Sequence, residues 1–138
     1  MKMKNAEIVM NLNNLSRLAE KRLPQRISYA MTKNNMILAK EYEVYSKELE
    51  KLNKEYDGHM IKNDKGEIEL HPSGIPKVDT KVEKEYYGKI NELLNIEIEV
   101  DLYKIDEECF NYDDTESRYD SLSFAEQMIL RPLLVKMD

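Results

Sequence analysis

Two histidines, His59 and His71, are the residues that could most readily bind a metal ion in this chain. They lie at either end of a segment that is predicted to form a β-hairpin, whose pairing would bring them close together. With Asp57 or Asp64 they could form a weak metal site. A third ligand at a diagnostic spacing is missing, and we therefore predict no metal site and no cofactor.

Three acidic residues, Glu97, Glu99 and Asp101, could supply the paired carboxylates used in general acid–base catalysis. They alternate with apolar residues, a pattern typical of a strand with one buried and one solvated face, so we expect them to lie in water. The single cysteine, Cys109, has acidic neighbours that disfavour a reactive thiolate. The chain also has only four glycines and no glycine-rich phosphate-binding loop. The sequence therefore predicts a protein that is not an enzyme.

Four basic residues around the end of the first predicted helix form a candidate anion-binding cluster: Arg17, Lys21, Arg22 and Arg26. Such a cluster could hold phosphate groups. The chain has 27 acidic against 21 basic residues and a net charge of -6, which disfavours a nucleic-acid backbone as the partner. The acidic residues are concentrated between Glu97 and Asp120. Opposite local charges of this kind favour a protein-contact surface.

The longest predicted element is a helix over residues 24–56, which follows a first helix over residues 5–22. After Pro24 this segment contains no further proline and no glycine, and apolar residues recur in it at seven-residue intervals, as in a coiled coil. At 1.5 Å per residue the helix is roughly 50 Å long, more than a domain of this size needs.

The apolar stripe on this long helix is the candidate interface, which consists of Leu38, Tyr42, Tyr45, Leu49, Leu52 and Tyr56. Tyrosine suits a protein interface because its ring is apolar and its hydroxyl is polar. Either the third predicted helix or the same helix of a second subunit must cover the stripe. We favour a second subunit for part of it, so we expect a homo-oligomer.

Five shorter elements follow the long helix: a β-hairpin and loop (57–78), a helix (80–94), an amphipathic strand (96–103), an acidic loop (111–120) and a short helix (123–131). Both helices begin with a capping box, formed by Thr80 with Glu83 and by Ser123 with Glu126. The predicted fold is α+β and mainly helical: a long antiparallel helical hairpin, a small β element and a short C-terminal helix. At 138 residues we expect a single domain, residues 1–138.

The chain contains no run of about 18 apolar residues, so no helix is predicted to span a membrane. Its basic N-terminus is not followed by the unbroken apolar stretch of a signal peptide. We therefore expect a cytoplasmic protein without a membrane partner.

Five stretches carry a resemblance to known proteins: residues 14–19 running into Leu23 and Pro24, residues 27–30 with Lys33 and Asn34, the long charged helix, residues 92–98, and residues 122–130. In these stretches the chain resembles small phage and prophage proteins of unknown function from Gram-positive hosts. The resemblance implies a mobile-element product that acts inside a bacterial cell. It transfers no activity and no functional residue.

Two functional hypotheses follow from the sequence. The first is a non-enzymatic phage accessory or assembly protein that acts through protein–protein contacts and self-associates through the long helix. The second is a counter-defence protein that blocks a host immune effector with its acidic surface, or that sequesters a nucleotide signal at the basic cluster.

Overall fold

The computed structural model describes residues 1–115 and 118–136. Within these ranges the chain forms β1 (Lys2–Lys4), α1 (Asn5–Leu18), α2 (Gln25–Glu55), α3 (Glu83–Leu94), β2 (Glu97–Glu99) and α4 (Phe124–Leu134). Two short 3-10 helices, Asp57–His59 and Glu107–Phe110, complete these elements. The predicted mainly helical α+β class is confirmed at this level. Two residues of the predicted acidic loop, 116 and 117, lie outside the described residues.

The chain divides into two compact units, one made of Met1–Tyr42 with Glu97–Asp138 and the other of Glu43–Ile96. The boundary between Tyr42 and Glu43 falls inside α2. No proline, glycine or linker-like segment marks this boundary in the sequence, and the single domain was predicted from the chain length. The two units are described separately below.

The sheet of the first unit is a two-stranded antiparallel pair in which Met3 of β1 lies opposite Ile98 of β2. The predicted strand over residues 96–103 is shorter than expected, because β1 offers only three residues for pairing. The predicted alternation nevertheless continues beyond the pairing, since Val100 and Leu102 are both buried. The N-terminal segment is the partner strand that the sequence analysis did not identify.

One apolar core holds the first unit together, and it draws side chains from every element of that unit. Its fully or nearly fully buried members include Ile8, Leu15, Ile27, Leu38, Leu130 and Leu134. Burying a side chain of this size stabilises the fold by about 1.5–3 kcal/mol relative to leaving it exposed. The core fixes the first half of α2 against α1, α4 and the segment after β2.

Helix α1 ends at Leu18, four residues before the predicted end at Arg22. The reason is a long-range pairing of the backbone. The Arg22 amide donates to the Asp120 carboxylate at 2.7 Å, and the Asp120 amide donates to the Arg22 carbonyl at 2.8 Å. These bonds hold residues 19–23 in a turn instead of a continued helix.

Helix α4 begins with the predicted capping box. The Ser123 hydroxyl accepts from the Glu126 amide at 3.1 Å, and the Glu126 carboxylate accepts from the Ser123 amide at 2.8 Å. The helix continues through Pro132 to Leu134, beyond the predicted end at residue 131. Pro132 has no amide hydrogen and so removes one helix hydrogen bond. The free energy gained by burying Leu134 offsets this loss.

The second unit packs α3 against the second half of α2 around the buried residues Tyr56, Val78, Tyr86 and Ile90. Tyr86 is fully buried, and its hydroxyl donates to the Asn53 side chain at 2.7 Å. Burial raises the pKa of Tyr86 to about 12, because the charged phenolate would lose its hydration. The ring of Tyr86 also lies 5.2 Å from that of Tyr56.

Helix α3 begins at Glu83, and the capping box predicted at Thr80 does not form. Asp79 instead stabilises the turn before the helix, since its carboxylate accepts from the Lys81 amide at 3.1 Å and its carbonyl accepts from the Val82 amide. The same carboxylate lies 3.0 Å from Nδ1 of His59. Thr80 and Lys81 therefore belong to a turn that precedes the helix.

Residues 57–78, predicted as a β-hairpin and loop, contain isolated antiparallel bridges and no strand longer than a bridge. Three backbone hydrogen bonds connect the bridges in a ring. Ile61 donates to the Lys77 carbonyl, Lys77 donates to the Glu69 carbonyl, and Glu69 donates to the Ile61 carbonyl, at 2.8–3.0 Å. Ile61, Glu69 and Lys77 are spaced eight residues apart, so the segment passes through this ring of hydrogen bonds three times. Short ladders of this kind fall below the length of a regular strand.

No helix among the described residues is long and apolar enough to cross a membrane.

Candidate functional site

The candidate interface on α2 lies largely inside the chain. Leu38, Tyr45 and Tyr56 are 0, 8 and 4% exposed. Leu49 and Leu52 are partly buried against the core of the second unit. Tyr42, at 40%, is the most exposed member.

The chain's own side chains cover these residues. In the first unit Leu38 belongs to the core described above. In the second unit Tyr56 packs on Tyr86 of α3, and its hydroxyl donates to the Glu85 carboxylate at 2.6 Å. Leu38, Tyr45 and Tyr56 therefore offer no free surface to a second copy, and α3 is the cover for the stripe in this unit.

The predicted anion-binding cluster is divided in the structure. Lys21 forms an ion pair with Glu126 and Arg22 forms one with Asp120, each at 3.1 Å. The Arg22 amide and guanidinium together hold the pKa of the Asp120 carboxyl below its usual value. Because these carboxylates neutralise Lys21 and Arg22, the two residues are poorly suited to bind an anion.

The other two members of the cluster have different surroundings. Arg17 donates to the Asn14 side chain at 2.8 Å. Arg26 has no ion pair with any of the described residues, and its side chain lines a separate cleft. Of the four predicted residues, Arg26 is the one that the structure places in a cavity with further cations.

This cavity, here called the Arg26 cleft, has a volume of about 490 Å³ and lies within the first unit. It is formed by the first turns of α2, by the segment that follows β2 and by Lys136, the second residue after α4. The lining side chains that carry charge or an aromatic ring are Arg26, Tyr29, Tyr103, Lys104, Asp106 and Lys136.

Two tyrosine rings form one part of the Arg26 cleft. The rings of Tyr29 and Tyr103 lie 5.4 Å apart at an angle of 70°, an edge-to-face pair. They are 54 and 41% exposed, so both rings remain accessible to a ligand. The backbone of Tyr103 is held in place by the buried side chain of Asn34, which accepts from the Tyr103 amide and donates to the Tyr103 carbonyl.

Among the described residues, three cations and one carboxylate line the cleft and give it a positive charge in a chain that is negative overall. Lys104 donates to the Pro132 carbonyl at 2.7 Å, and desolvation lowers the pKa of its ammonium group. Lys136 lies 3.3 Å from Asp106, the one acid among the described lining residues. The first turn of α2, which begins at the cleft, has no acidic residue to offset its positive dipole end.

A second depression, here called the α2 groove, follows the outer face of α2 in the first unit. It has a volume of about 360 Å³ and is lined by Tyr29, Thr32, Lys33, Met36, Ile37 and Lys40. Met36 is 62% exposed. Neither Lys33 nor Lys40 forms an ion pair with a carboxylate in the described part of the chain.

No group of three or more histidine, cysteine, aspartate or glutamate side chains in residues 1–115 and 118–136 is arranged to hold a metal ion. The two histidines have separate partners, since His59 contacts Asp79 and Nε2 of His71 lies 2.6 Å from the Tyr87 hydroxyl.

Sequence analysis missed Tyr103, Lys104 and Lys136 as site residues. They lie more than 70 positions after Arg26 in the chain, and no short motif connects them. The spacing of Arg26 and Tyr29, three residues apart on a predicted helix, was the one local signal, since such residues share a face.

Comparisons with family models, with curated proteins and with solved structures found no match to this chain.

Proposed function

We propose that the protein is a non-enzymatic phage or prophage accessory protein that acts by binding another protein through the α2 groove. The observation that carries the proposal is an exposed apolar surface between two unpaired lysines. The phage context rests on the resemblance described in the sequence analysis.

The groove has the composition of a contact surface. Residues 29, 33, 36 and 40 lie on one face of a helix because they are three or four positions apart. This arrangement places the exposed side chain of Met36 between Lys33 and Lys40, with the exposed ring of Tyr29 one turn before Lys33. Tyrosine and methionine are enriched in protein interfaces, where methionine adapts to irregular partners.

The charge of the groove favours a different protein over a second copy of this chain. In a symmetric antiparallel pair of α2 helices centred on Met36, Lys33 of one copy would approach Lys40 of the other. Like charges at such a distance destabilise a contact. A partner whose apolar ridge is flanked by aspartate or glutamate would instead pair with both lysines, so we assign this groove to an acidic amphipathic segment of another protein.

Counter-defence by acidic mimicry is supported less well. Four acids of the predicted acidic region are already paired with cations of this chain: Glu99 with the N-terminal amine, Asp106 with Lys136, Glu107 with Arg131 and Asp120 with Arg22. A surface that is partly neutralised in this way is a weaker mimic of a phosphate backbone.

The proposal is tested by placing a photo-crosslinking residue at position 36 and, as a control, at exposed position 13 on α1, in a Gram-positive host cell. We expect one dominant adduct from position 36 alone. The adduct is identified by mass spectrometry, and the purified partner is then titrated with the wild-type chain. Met36→Glu should weaken this binding by about tenfold or more, and Lys33→Glu with Lys40→Glu should do the same.

Light scattering on the purified chain separates the alternatives. We expect the mass of one 16.3 kDa chain. A dimer that Met36→Glu converts to a monomer would mean that a second copy occupies the groove. Equal adducts from positions 36 and 13 would show that the groove has no preferred partner and would refute the proposal.

A further inference from the structure

We propose that the Arg26 cleft is a binding site for a free nucleotide, a ligand that combines an aromatic base with a phosphate group. The site is separate from the α2 groove except for Tyr29, which borders both. The inference does not depend on the proposed protein contact.

The tyrosine pair supplies the surface for the base. Large aromatic side chains usually bury their rings in a core or an interface. Tyr29 and Tyr103 are instead about half exposed, and they meet at the wall of a cavity. Aromatic side chains of this kind bind nucleobases by stacking, which every base permits because each has a π-face. The tyrosine pair is therefore suited to stack on an aromatic base, and we expect little selectivity between the bases.

Arg26 and Lys104 supply the charge for the phosphate. The guanidinium of Arg26 lacks an ion-pair partner in the described chain, so all of its donors are available for a bidentate contact. Lys104 uses one of its three N–H donors on the Pro132 carbonyl and can offer the others. Guanidinium and ammonium groups at a helix start are a common arrangement for phosphate binding.

The size of the cleft also fits a small ligand. Ligand pockets in proteins typically have volumes of about 300–1,000 Å³, and this cleft has about 490 Å³. Three cations of the described chain line it, and the whole chain carries a net charge of -6. An extended nucleic acid needs many phosphate contacts, so a free nucleotide is the better match. The described lining contains no serine, cysteine or histidine, and we expect the ligand to be bound and recovered unchanged.

Asp106 provides the most discriminating test. Its carboxylate lies in the lining and pairs with Lys136 at 3.3 Å. In the free protein this carboxylate repels a phosphate and forms an ion pair with Lys136, one of the three cations. Asp106→Asn removes the repulsion and frees Lys136, so it should tighten nucleotide binding by a few-fold. A residue with a purely structural role would not change affinity in this direction.

The experiment is isothermal titration calorimetry of the full chain with AMP, GMP, CMP, UMP and cyclic di-AMP, and with adenosine and inorganic phosphate as the separate halves of the ligand. We expect one or more nucleotides to bind, and both halves to bind about tenfold more weakly or not at all. Affinity should fall as salt concentration rises, because the phosphate contact is ionic. A single-stranded oligonucleotide that binds more tightly than every mononucleotide would reassign the cleft to nucleic acid and refute the proposal.

Matched variants then assign the binding to the cleft. Arg26→Ala and Tyr103→Ala should each weaken binding by about tenfold or more, while Arg26→Lys should have an intermediate effect because it keeps the charge but not the bidentate geometry. Arg17→Ala, an arginine outside the cleft, should leave affinity unchanged.

Three further results would overturn the proposal: no titrated nucleotide binds to the wild-type chain, Arg26→Ala binds as tightly as wild type, or Asp106→Asn weakens binding. Circular dichroism confirms that each variant is folded before it is titrated. Arg26 and Asp106 do not line the α2 groove, so a failure here leaves the proposed protein contact untouched, and the two ideas can fail independently.

Discussion

The side chain of Asn34 pairs with the backbone of Tyr103 in the way that one strand pairs with another. Its Oδ1 accepts from the Tyr103 amide at 2.7 Å, and its Nδ2 donates to the Tyr103 carbonyl at 2.9 Å. Nδ2 also donates to the Leu133 carbonyl at 3.1 Å. Asn34 is completely buried, so one side chain on α2 satisfies three backbone groups from two other segments.

Replacement of Asn34 by alanine should therefore be costly. It leaves the amide of Tyr103 and the carbonyls of Tyr103 and Leu133 without partners, and each buried unpaired group costs about 1–3 kcal/mol. Allowing for partial relaxation and water entry, we expect Asn34→Ala to lower the free energy of unfolding by roughly 2–4 kcal/mol. Urea denaturation followed by circular dichroism measures this change.

The neighbouring Asn35 is the matched control, since its side chain forms no hydrogen bond with the described residues and lies on the same helix. Asn35→Ala should change stability by less than about 1 kcal/mol, because alanine is the better helix former. Equal losses from the two variants would show that the buried pairing with Tyr103 contributes nothing specific.

A second prediction concerns the turn before α3, where Asp79 and not Thr80 accepts hydrogen bonds from the backbone amides of Lys81 and Val82. Asp79→Ala should destabilise the protein at neutral pH, and Thr80→Ala should have almost no effect. The hydrogen bond with His59, followed by those from the backbone of residues 81 and 82, holds the pKa of the Asp79 carboxyl below its ordinary value of 3.8. A lowered pKa means that this contribution is complete above pH 3.8 and is lost as the pH falls through the lowered value.

Thermal unfolding at a series of pH values tests both parts of this prediction. The difference in midpoint between wild type and Asp79→Ala should shrink as the pH falls below 3.8 and through the lowered pKa of Asp79. A difference that grows in this acidic range would contradict the direction of the pKa shift. A larger loss from Thr80→Ala than from Asp79→Ala would restore the capping box that the sequence suggested.

Local signals account for the parts of the fold that the sequence predicted well. Pro24 lies directly before the first residue of α2, because proline fits a helix start. Gly58 follows the end of α2 by three residues, but it lies in a 3-10 helix and lacks the positive φ of a glycine cap, so the end of α2 was predicted without the correct local reason. The capping box of Ser123 and Glu126 depends on residues three positions apart, so it could be recognised without any tertiary contact.

Long-range pairings account for what the sequence could not show. The end of α1 is set by Asp120, 98 positions after Arg22. The Arg26 cleft likewise forms only when residues 103–106 and Lys136 come together against α2. The basic cluster was a sound local signal for cations, but the acids that neutralise Lys21 and Arg22 come from the other end of the chain. Charge pattern along a helix does not reveal such partners.

The glycines of the second unit supply a third prediction, in which one substitution has opposite effects at two positions. Gly66 has φ of 79°, in the left-handed region, at the turn where its amide donates to the Asn63 carbonyl. Alanine in this conformation costs about 1–2 kcal/mol, so Gly66→Ala should destabilise the protein by roughly that amount. Gly66→Asn should recover part of the loss, because asparagine tolerates the left-handed region.

Gly88 should respond in the other direction. It lies inside α3, it is exposed, and a Cβ added there would meet no atom within 4 Å. Alanine is favoured over glycine in a helix interior by about 0.5–1 kcal/mol, so Gly88→Ala should stabilise the protein by that amount. Gly58→Ala is the control for side-chain space alone, since Gly58 also has no atom within 4 Å and does not have a positive φ. Urea unfolding of the three alanine variants tests the prediction, because effects of the same sign at positions 66 and 88 would mean that backbone conformation does not distinguish these two glycines.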